Sequence, residues 1–335
     1  MAARLTHTEF STAMIKIGVL GAGHLGKIHL RLLNNIPAFQ LVGFYDQNPE
    51  VSRAVAQEYE LQAFESAEEL VAAVDAVDIV TPTNSHFELA QLALRNTVHV
   101  FIEKPIAATV EEARSLTKLA HEAGVVNQVG HVERFNPAFL TVRHRQLQPM
   151  FIETHRLAQW NPRGTDVSVV LDLMIHDLDI VLHLINSSVK KVSASGVAVV
   201  TDTPDIANAR IEFHNGAVAN LTASRISMKN MRKMRLFQHA QYLSLDFLDK
   251  KVEAFSIMDE EPEGRGSMSF EAAKHTKYLV PEMPEVTPVN AIEEELKEFA
   301  LAIQQEQSPA VPFHDATLAL QTAFQIAEKI QPLGA

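Results

Sequence analysis

The chain has no cysteine among its 335 residues. That excludes disulfides, thiolate catalysis and cysteine-ligated metals, and it makes a reducing cytoplasm the expected compartment. Long apolar runs are missing too. None approaches the ~18 residues of a membrane span, and residues 1–13 are polar and mixed, with no apolar signal-peptide region. They read as an extension. An excess of basic charge is also lacking: the formal net charge is −12, which argues against nucleic acid as a partner. No repeat or low-complexity segment is present. What remains is 47% apolar and 21% charged, an ordinary globular composition. The length suits a sizeable core and about two domains.

Glycine is informative by position. Lys16-Ile-Gly-Val-Leu-Gly21-Ala-Gly23-His24-Leu25-Gly26 runs from apolar residues into Gly-x-Gly-x-x-Gly, and helical spacing begins at Lys27. Strand, tight turn and helix N-terminus make a phosphate cradle. Gly21 permits the turn, Gly23 lets backbone approach a pyrophosphate, and Gly26 lets helix and strand pack closely. The next strand pattern, Gln40–Tyr45, ends in Asp46. An acid there accepts from adenosine ribose hydroxyls and repels a 2′-phosphate, which favours NAD over NADP. The bland reading of Asp46 is a cap before Pro49.

From Ile15 to about Gly130, short apolar runs alternate with helical patterns, the signature of a parallel sheet with crossover helices. Strands are predicted at Ile15–Leu20, Gln40–Tyr45, Ala76–Val80, Thr97–Ile102 and Val125–Val129, with a weak one near Gln62–Phe64. Helices are predicted at Pro49–Tyr59, from a capping box at Ser66–Glu69, and at His86–Arg95 and Thr109–Ala123. After about residue 150 the character changes to seven strand patterns between Met150 and Ser256, with a long helix at Val169–Leu184. Asn215-Gly216 gives a hairpin signal. Residues 256–289, with four prolines, read as a loop. Asn290–Gln304 and His314–Ile330 read as helices. The expected domains are 14–133, binding a dinucleotide, and 134–335, with the helices of 290–330 packing back on the first.

Three further clusters carry chemistry. Thr81-Pro82-Thr83-Asn84-Ser85-His86 follows a strand, where ligands of a doubly wound sheet bind. A capped loop explains it equally well. Glu103-Lys104-Pro105 also ends a strand. A lysine entering the crevice can meet a substrate hydroxyl, and the X-Pro bond is a candidate cis peptide. On its own it reads better as a surface Glu-Lys pair before a proline-initiated loop. Asp172 and His176 are four apart on a largely apolar helix, so they share a face. A carboxylate beside a histidine suits acid–base chemistry near neutral pH. A structural buried pair or a metal site is the alternative; with no third ligand indicated, metal is the less favoured of the two and none is assigned. Asp177 and Asp179 stay open as caps, partners or substrate contacts.

In this order and spacing, Gly21-Ala-Gly23-His-Leu-Gly26, Glu103-Lys104-Pro105 and Asp172-x-x-x-His176-x-x-Asp179 resemble the landmarks of the glucose–fructose oxidoreductase / inositol dehydrogenase / rhizopine catabolism (Gfo/Idh/MocA) family. The resemblance runs from Ile15 to about Ile330. It implies an α/β protein: an N-terminal Rossmann domain with a doubly wound parallel sheet, then an α/β domain with a large, open, mostly antiparallel sheet that makes homodimers or homotetramers. It implies cofactor contacts from Gly21, Gly23, His24, Leu25, Gly26, Asp46, Thr81, Pro82, Thr83, Asn84, His86, Glu103 and Lys104. It also implies a triad in which His176 is the usual acid/base, Lys104 bonds the reacting hydroxyl and Asp172 orients or binds, all three meeting substrate, with the lysine taking the base role in some relatives.

Gly130-His131-Val-Glu133-Arg134-Phe135-Asn136-Pro137 and residues 166–172 resemble the branch that oxidises the 3-hydroxyl of UDP-N-acetylglucosamine. There the ketone is transaminated for lipid A or other surface glycans. Arg134 and Arg163 become candidates for diphosphate pairing, Phe135 or Trp160 for stacking, and Asn136 for a sugar contact. The bland readings are a linker salt bridge for Arg134 and a core anchor for Phe135. Leu173-Met174-Ile175 replaces the small residues often found before the histidine, which should narrow the pocket. A polyol dehydrogenase and a non-catalytic dinucleotide sensor are the rival readings.

Overall fold

The computed structural model describes residues 14–161, 167–264, 266–272 and 275–330. In chain order it begins β1 (Ile15–Leu20), α1 (His24–Leu33), β2 (Phe39–Tyr45), α2 (Pro49–Tyr59), α3 (Ala67–Ala72), β3 (Ala76–Ile79), α4 (His86–Arg95), β4 (His99–Glu103), α5 (Val110–Ala123) and β5 (Asn127–Gly130). It continues with α6 (Pro137–Leu140), β6 (Phe151–Leu157), a π-turn at Val170–Met174, α7 (Ile175–Ile185), β7 (Val189–Val197), β8 (Ile206–Phe213), β9 (Val218–Ser224), β10 (Met231–Gln238), β11 (Gln241–Asp246), β12 (Lys251–Met258), β13 (Met268–Ala272) and β14 (His275–Glu282). Two helices close it, α8 (Ala291–Gln304) and α9 (Phe313–Lys329). No helix among the described residues is long and apolar enough to cross a membrane. Two compact units result: Met1–His131 with Ile292–Thr317, and Val132–Ala291 with Leu318–Ala335.

The first unit is a parallel sheet in the order β2-β1-β3-β4-β5. Every residue of β3 is buried, as expected where helices cover both faces. The order reverses between β1 and β3, and ligands of such sheets bind outside the strand carboxyl ends at that point. Helix ends follow local chemistry. Asn48 caps α2 with Pro49 in its first turn, Thr109 and Glu112 form a full capping box, and Gly124 ends α5 in the left-handed region. At α3 only half of the expected box forms. Ser66 accepts from Glu69 N–H, while the Glu69 carboxylate accepts from Glu65 N–H. The weak strand near residue 63 is an isolated bridge to Phe44. Leu296, Phe299 and Ala300 of α8 join the core formed by α1, β1 and β2. Phe101 and Phe299 meet edge-to-face at 5.8 Å, an arrangement worth roughly 0.5–1.5 kcal/mol beyond burial.

The second unit is built on a sheet in the order β13-β14-β12-β11-β10-β6-β9-β8-β7, nine strands among the described residues. All its pairs are antiparallel except β6 with β9. Asn215-Gly216 makes the β8–β9 turn: Gly216 has φ +87°, and Asn215 Oδ1 accepts from Ala217 N–H at 3.1 Å. One expectation is corrected. Residues 256–289 are not a loop, because β13 pairs there with β14, and β14 with β12. They were hidden because they lie at the sheet edge with mostly exposed side chains, so apolar alternation is absent. The long helix also starts differently. Val170–Met174 is a π-turn, in which Ile175 N–H reaches back five residues to Val170 O. Such turns occur often at functional sites.

Candidate active site

The turn after β1 is shaped by three missing side chains. Gly21 has φ +99°, and a Cβ on it would lie 2.8 Å from Val80 O. A Cβ on Gly26 would lie 2.1 Å from Gly21 O. Gly23 is the opposite case, with nothing within 4 Å of where its Cβ would be. It is the N-cap of α1, without a side-chain cap or an acid in the first turn. The N-terminus of α1 is therefore a place where the helix dipole favours an anion. A dinucleotide pyrophosphate fits this cradle. His24 is exposed and Leu25 half-buried at its rim.

Asp46 ties the end of β2 to this turn. Its Oδ2 accepts from Ala22 N–H at 2.8 Å, and Oδ1 from Asn48 N–H at 2.9 Å. Each oxygen keeps a further lone pair for a ribose hydroxyl. Beyond β3, Thr83–Ser85 form a 3₁₀ turn, with Ser85 Oγ donating to Pro82 O. Pro82 and Asn84 are exposed, and Thr81 and Thr83 half-buried. This loop flanks the point where the strand order reverses.

His86 is buried, with Nε2 2.9 Å from Thr81 O and Nδ1 2.9 Å from Pro105 O. Burial pushes its imidazole down, while the two carbonyl oxygens favour the charged ring. Lys104 is half-buried, and the Lys104–Pro105 bond is cis. Glu103 turns inward. Its Oε2 accepts from Lys104 N–H at 3.2 Å, and its Oε1 lies 3.3 Å from His29 Nε2. His29 Nδ1 is 2.8 Å from Asp78 Oδ2, and both side chains are fully buried. Sequence reasoning passed over His29 and Asp78. The signal was present: a carboxylate in the otherwise apolar β3 demands a buried partner.

In the second unit, Asp172 lies in the π-turn and His176 in the first turn of α7, both half-buried. Beside them, Arg134 Nε and Nη2 hold Asp179 Oδ2 and Oδ1 at 2.6 and 3.0 Å. Arg156 bridges Glu133 and Asp177, each at 2.8 Å. All five side chains are buried. Such pairs are costly to break, because one partner is then left buried and uncompensated.

Residues 15–131 match the model of an oxidoreductase family with an NAD-binding Rossmann fold, and 128–238 match the Gfo/Idh/MocA C-terminal domain. The chain belongs to the Gfo/Idh/MocA family. It is therefore an oxidoreductase acting on CH–OH groups, with a nicotinamide dinucleotide as cofactor. Among Gfo/Idh/MocA proteins it is 43% identical to a UDP-N-acetylglucosamine 3-dehydrogenase of Acidithiobacillus ferrooxidans over 242 residues, 72% of this chain and 77% of that one. A structure of the A. ferrooxidans enzyme, GnnA, superposes with a TM-score of 0.86 at 36% identity, covering 95% of this chain and 98% of that one. Scyllo-inositol 2-dehydrogenase (NAD(+)) of Bacillus subtilis is 26% identical, over 92% of each chain.

Within this Gfo/Idh/MocA fold, several expected contacts are corrected. Arg134 holds Asp179 with two hydrogen bonds, as the salt-bridge reading expects. Phe135 is 1% exposed and anchors the core. Asn136 caps α6 and donates to Glu133 and to Phe247 O. His86 and Glu103, expected on the cofactor, face the fold's own carbonyl oxygens and histidine. Asp177 and Asp179 resolve as ion-pair partners. Arg163 lies outside the described residues.

Proposed function

We propose that this oxidoreductase converts the 3-hydroxyl of UDP-N-acetylglucosamine to a ketone with NAD, as a homo-oligomer assembled through the open face of its nine-stranded sheet. The observation that carries the substrate reading is the 43% identity to a UDP-N-acetylglucosamine 3-dehydrogenase across 72% of the chain. Gly21, Gly23 and Gly26 cradle the pyrophosphate while the α1 amides donate to it. Asp46 accepts from the ribose hydroxyls, and its charge disfavours NADP. Thr81, Thr83 and Asn84 line the same strand ends. When bound, NAD supplies the acceptor for the hydride of the carbinol carbon. Lys104 Nζ donates a hydrogen bond to the reacting hydroxyl oxygen. His176 takes the hydroxyl proton on a ring nitrogen, and Asp172 orients that ring. The carbon–oxygen bond becomes a carbonyl as both hydrogens leave. Trp160, 43% exposed, offers its face to the uracil. For assembly, the outward side of the sheet carries a row of touching rings, Phe151, Phe237, Tyr242 and Phe255.

Titration calorimetry with UDP-N-acetylglucosamine and NADH tests the substrate. Saturable binding together with NADH formation from the sugar and NAD supports the reading. No binding at millimolar sugar, with NADH formed from inositols instead, replaces it with a polyol dehydrogenase. His176→Ala and Lys104→Met should each lose turnover and still bind NADH. Normal turnover in both variants would overturn the residue roles.

A further inference from the structure

The turn that carries Lys104 is pinned at both neighbours by histidines. On one side the Pro105 carbonyl oxygen meets His86 Nδ1, whose other nitrogen holds Thr81 O. On the other, the Glu103 carboxylate lies between Lys104 N–H and His29. We propose that His29 is a positioning residue: gripped by Asp78, its ring holds Glu103 beneath the Lys104 peptide and so sets where the lysine side chain starts. This rests on the reading of Lys104 as the group that bonds the reacting hydroxyl.

The geometry dictates the form of the ring. Nδ1 is 2.8 Å from an Asp78 oxygen, and Nε2 is 3.3 Å from a Glu103 oxygen. Only Nδ1 makes a full hydrogen bond; Nε2 faces the Glu103 oxygen without hydrogen-bond geometry. Carboxylates on both sides favour a ring with hydrogen on both nitrogens. Water cannot replace Asp78, because His29 and Asp78 are fully buried. The charged groups facing the ring come from each element packed on it: Asp78 from β3, Glu103 from β4 and Glu295 from α8. Phe101 of β4 closes the remaining side with its centroid 6.1 Å away. Burial alone pushes the imidazole down, but Asp78 and Glu103 outweigh it and hold it well above its ordinary value. Glu295 is also shifted. Burial, and then Glu103, push its carboxyl well up, while His29 draws it down. Space for Glu103 is also built in. A side chain at Gly130 would place Cβ 2.9 Å from Glu103 Oε1.

A buried chain therefore runs from Asp78 through His29 and Glu103 to the Lys104 amide. Displacing a reacting group by about 1 Å costs on the order of 100-fold in rate. His29 touches no substrate in this scheme, and the dinucleotide cradle lies elsewhere, at Gly21–Gly26.

Two measurements test the proposal. The first needs no variant. In ¹⁵N-histidine spectra of the full chain, both His29 ring nitrogens should remain protonated at about pH 8, where an ordinary imidazole is neutral. A neutral tautomer there overturns the clamp. The second is kinetic. His29→Gln should lower kcat on the order of 10- to 100-fold, while KM for the sugar and Kd for NADH stay within about twofold. Glu103→Gln should do the same, and the double variant should be no worse than the weaker single, because both act through one contact. If His29→Gln does not fold, Glu103→Gln at the half-buried end carries the comparison. Unchanged kcat overturns the proposal. So does a fall in kcat matched by weaker NADH binding, which marks general damage. Lys104→Met separates the layers. If it turns over normally, the lysine reading fails and takes the clamp with it. If it is dead while His29→Gln is normal, only the clamp fails.

Discussion

Alanine at Gly23 and at Gly26 should separate two jobs that one motif performs. At Gly26 the added Cβ would lie 2.1 Å from the Gly21 carbonyl oxygen, and real Cβ contacts essentially never fall under 3.0 Å. The obstacle is backbone, so α1 must withdraw from β1 by about 1 Å. Overpacking of this kind costs about 1–3 kcal/mol, offset by about 1 kcal/mol from alanine's better helix propensity. A net loss of about 1–2 kcal/mol should lower Tm by roughly 2–8 °C. At Gly23 nothing lies within 4 Å of the new methyl, and φ is −67°, so the fold should change by no more than about 0.5 kcal/mol. The methyl instead occupies the approach to the α1 amides. Losing one or two charge-assisted bonds, each about 1.5–3 kcal/mol, should raise the Kd for NADH by about 10- to 100-fold or more. Thermal unfolding with and without NADH reads both effects. The parent should gain about 2.7 kcal/mol at NADH near 100 Kd. Gly23→Ala should keep the parent Tm without NADH and lose most of the ligand shift, while Gly26→Ala should lose both. A Gly23→Ala protein with the full NADH shift would refute the pyrophosphate assignment.

Three further outcomes follow from the buried charges and the open sheet face. Arg134→Ala strips the guanidinium from a buried Asp179 and should cost about 3–5 kcal/mol in denaturant unfolding, whereas Arg134→Met with Asp179→Leu should cost much less. A variant of normal stability with weakened sugar binding would return Arg134 to the substrate. Glu295→Gln should stabilise the fold increasingly as pH rises. Burial first, and then Glu103, hold its carboxyl well up in the native state. The native fold keeps a proton that the unfolded chain releases above its ordinary carboxylate value, so parent stability declines through that window and the glutamine variant does not. Denaturant curves at about pH 5 and pH 8 should show the gap opening at the higher pH; a constant gap contradicts it. Phe237→Asp, in the middle of the aromatic row, should reduce the mass seen by light scattering if that face joins copies, and unchanged mass denies it the role.

What the sequence revealed of the fold depended on how local the cause was. The glycine turn and the Asn215-Gly216 hairpin are each decided within about five residues, and each stands in the structure, while the Ser66–Glu69 box forms only by half. The sheet of the second unit was legible while its strands alternated inward and outward, as β8 and β9 do. It became illegible at β13, where four of five residues are exposed and the reason for being a strand is the neighbour β14. The π-turn before His176 left no trace in the apolar spacing, because one extra residue in a buried helix keeps nearly the same pattern.

The site divides along the same line, and the arginines show why. Arg134 is a candidate for a diphosphate or for a linker salt bridge, because a guanidinium near a nucleotide-binding half is chemically suited to either. The same fork suits a carboxylate equally, and the nearest one is Asp179, 45 residues away and brought there only by the fold. Asp177 takes Arg156 in the same manner. Spacing can say that Asp172, His176 and Asp179 ride on one helix; it cannot say which acid a distant cation will claim. Glu103 is the sharper case. Its place beside Lys104 suggested a cofactor contact, yet an unpaired imidazolium at His29 would be untenable in a fully buried site. The carboxylate is drawn inward for that reason. A charged residue next to a catalytic one therefore need not touch substrate, and the strand charge at Asp78 was the sequence-level warning that a partner had to lie beneath the sheet.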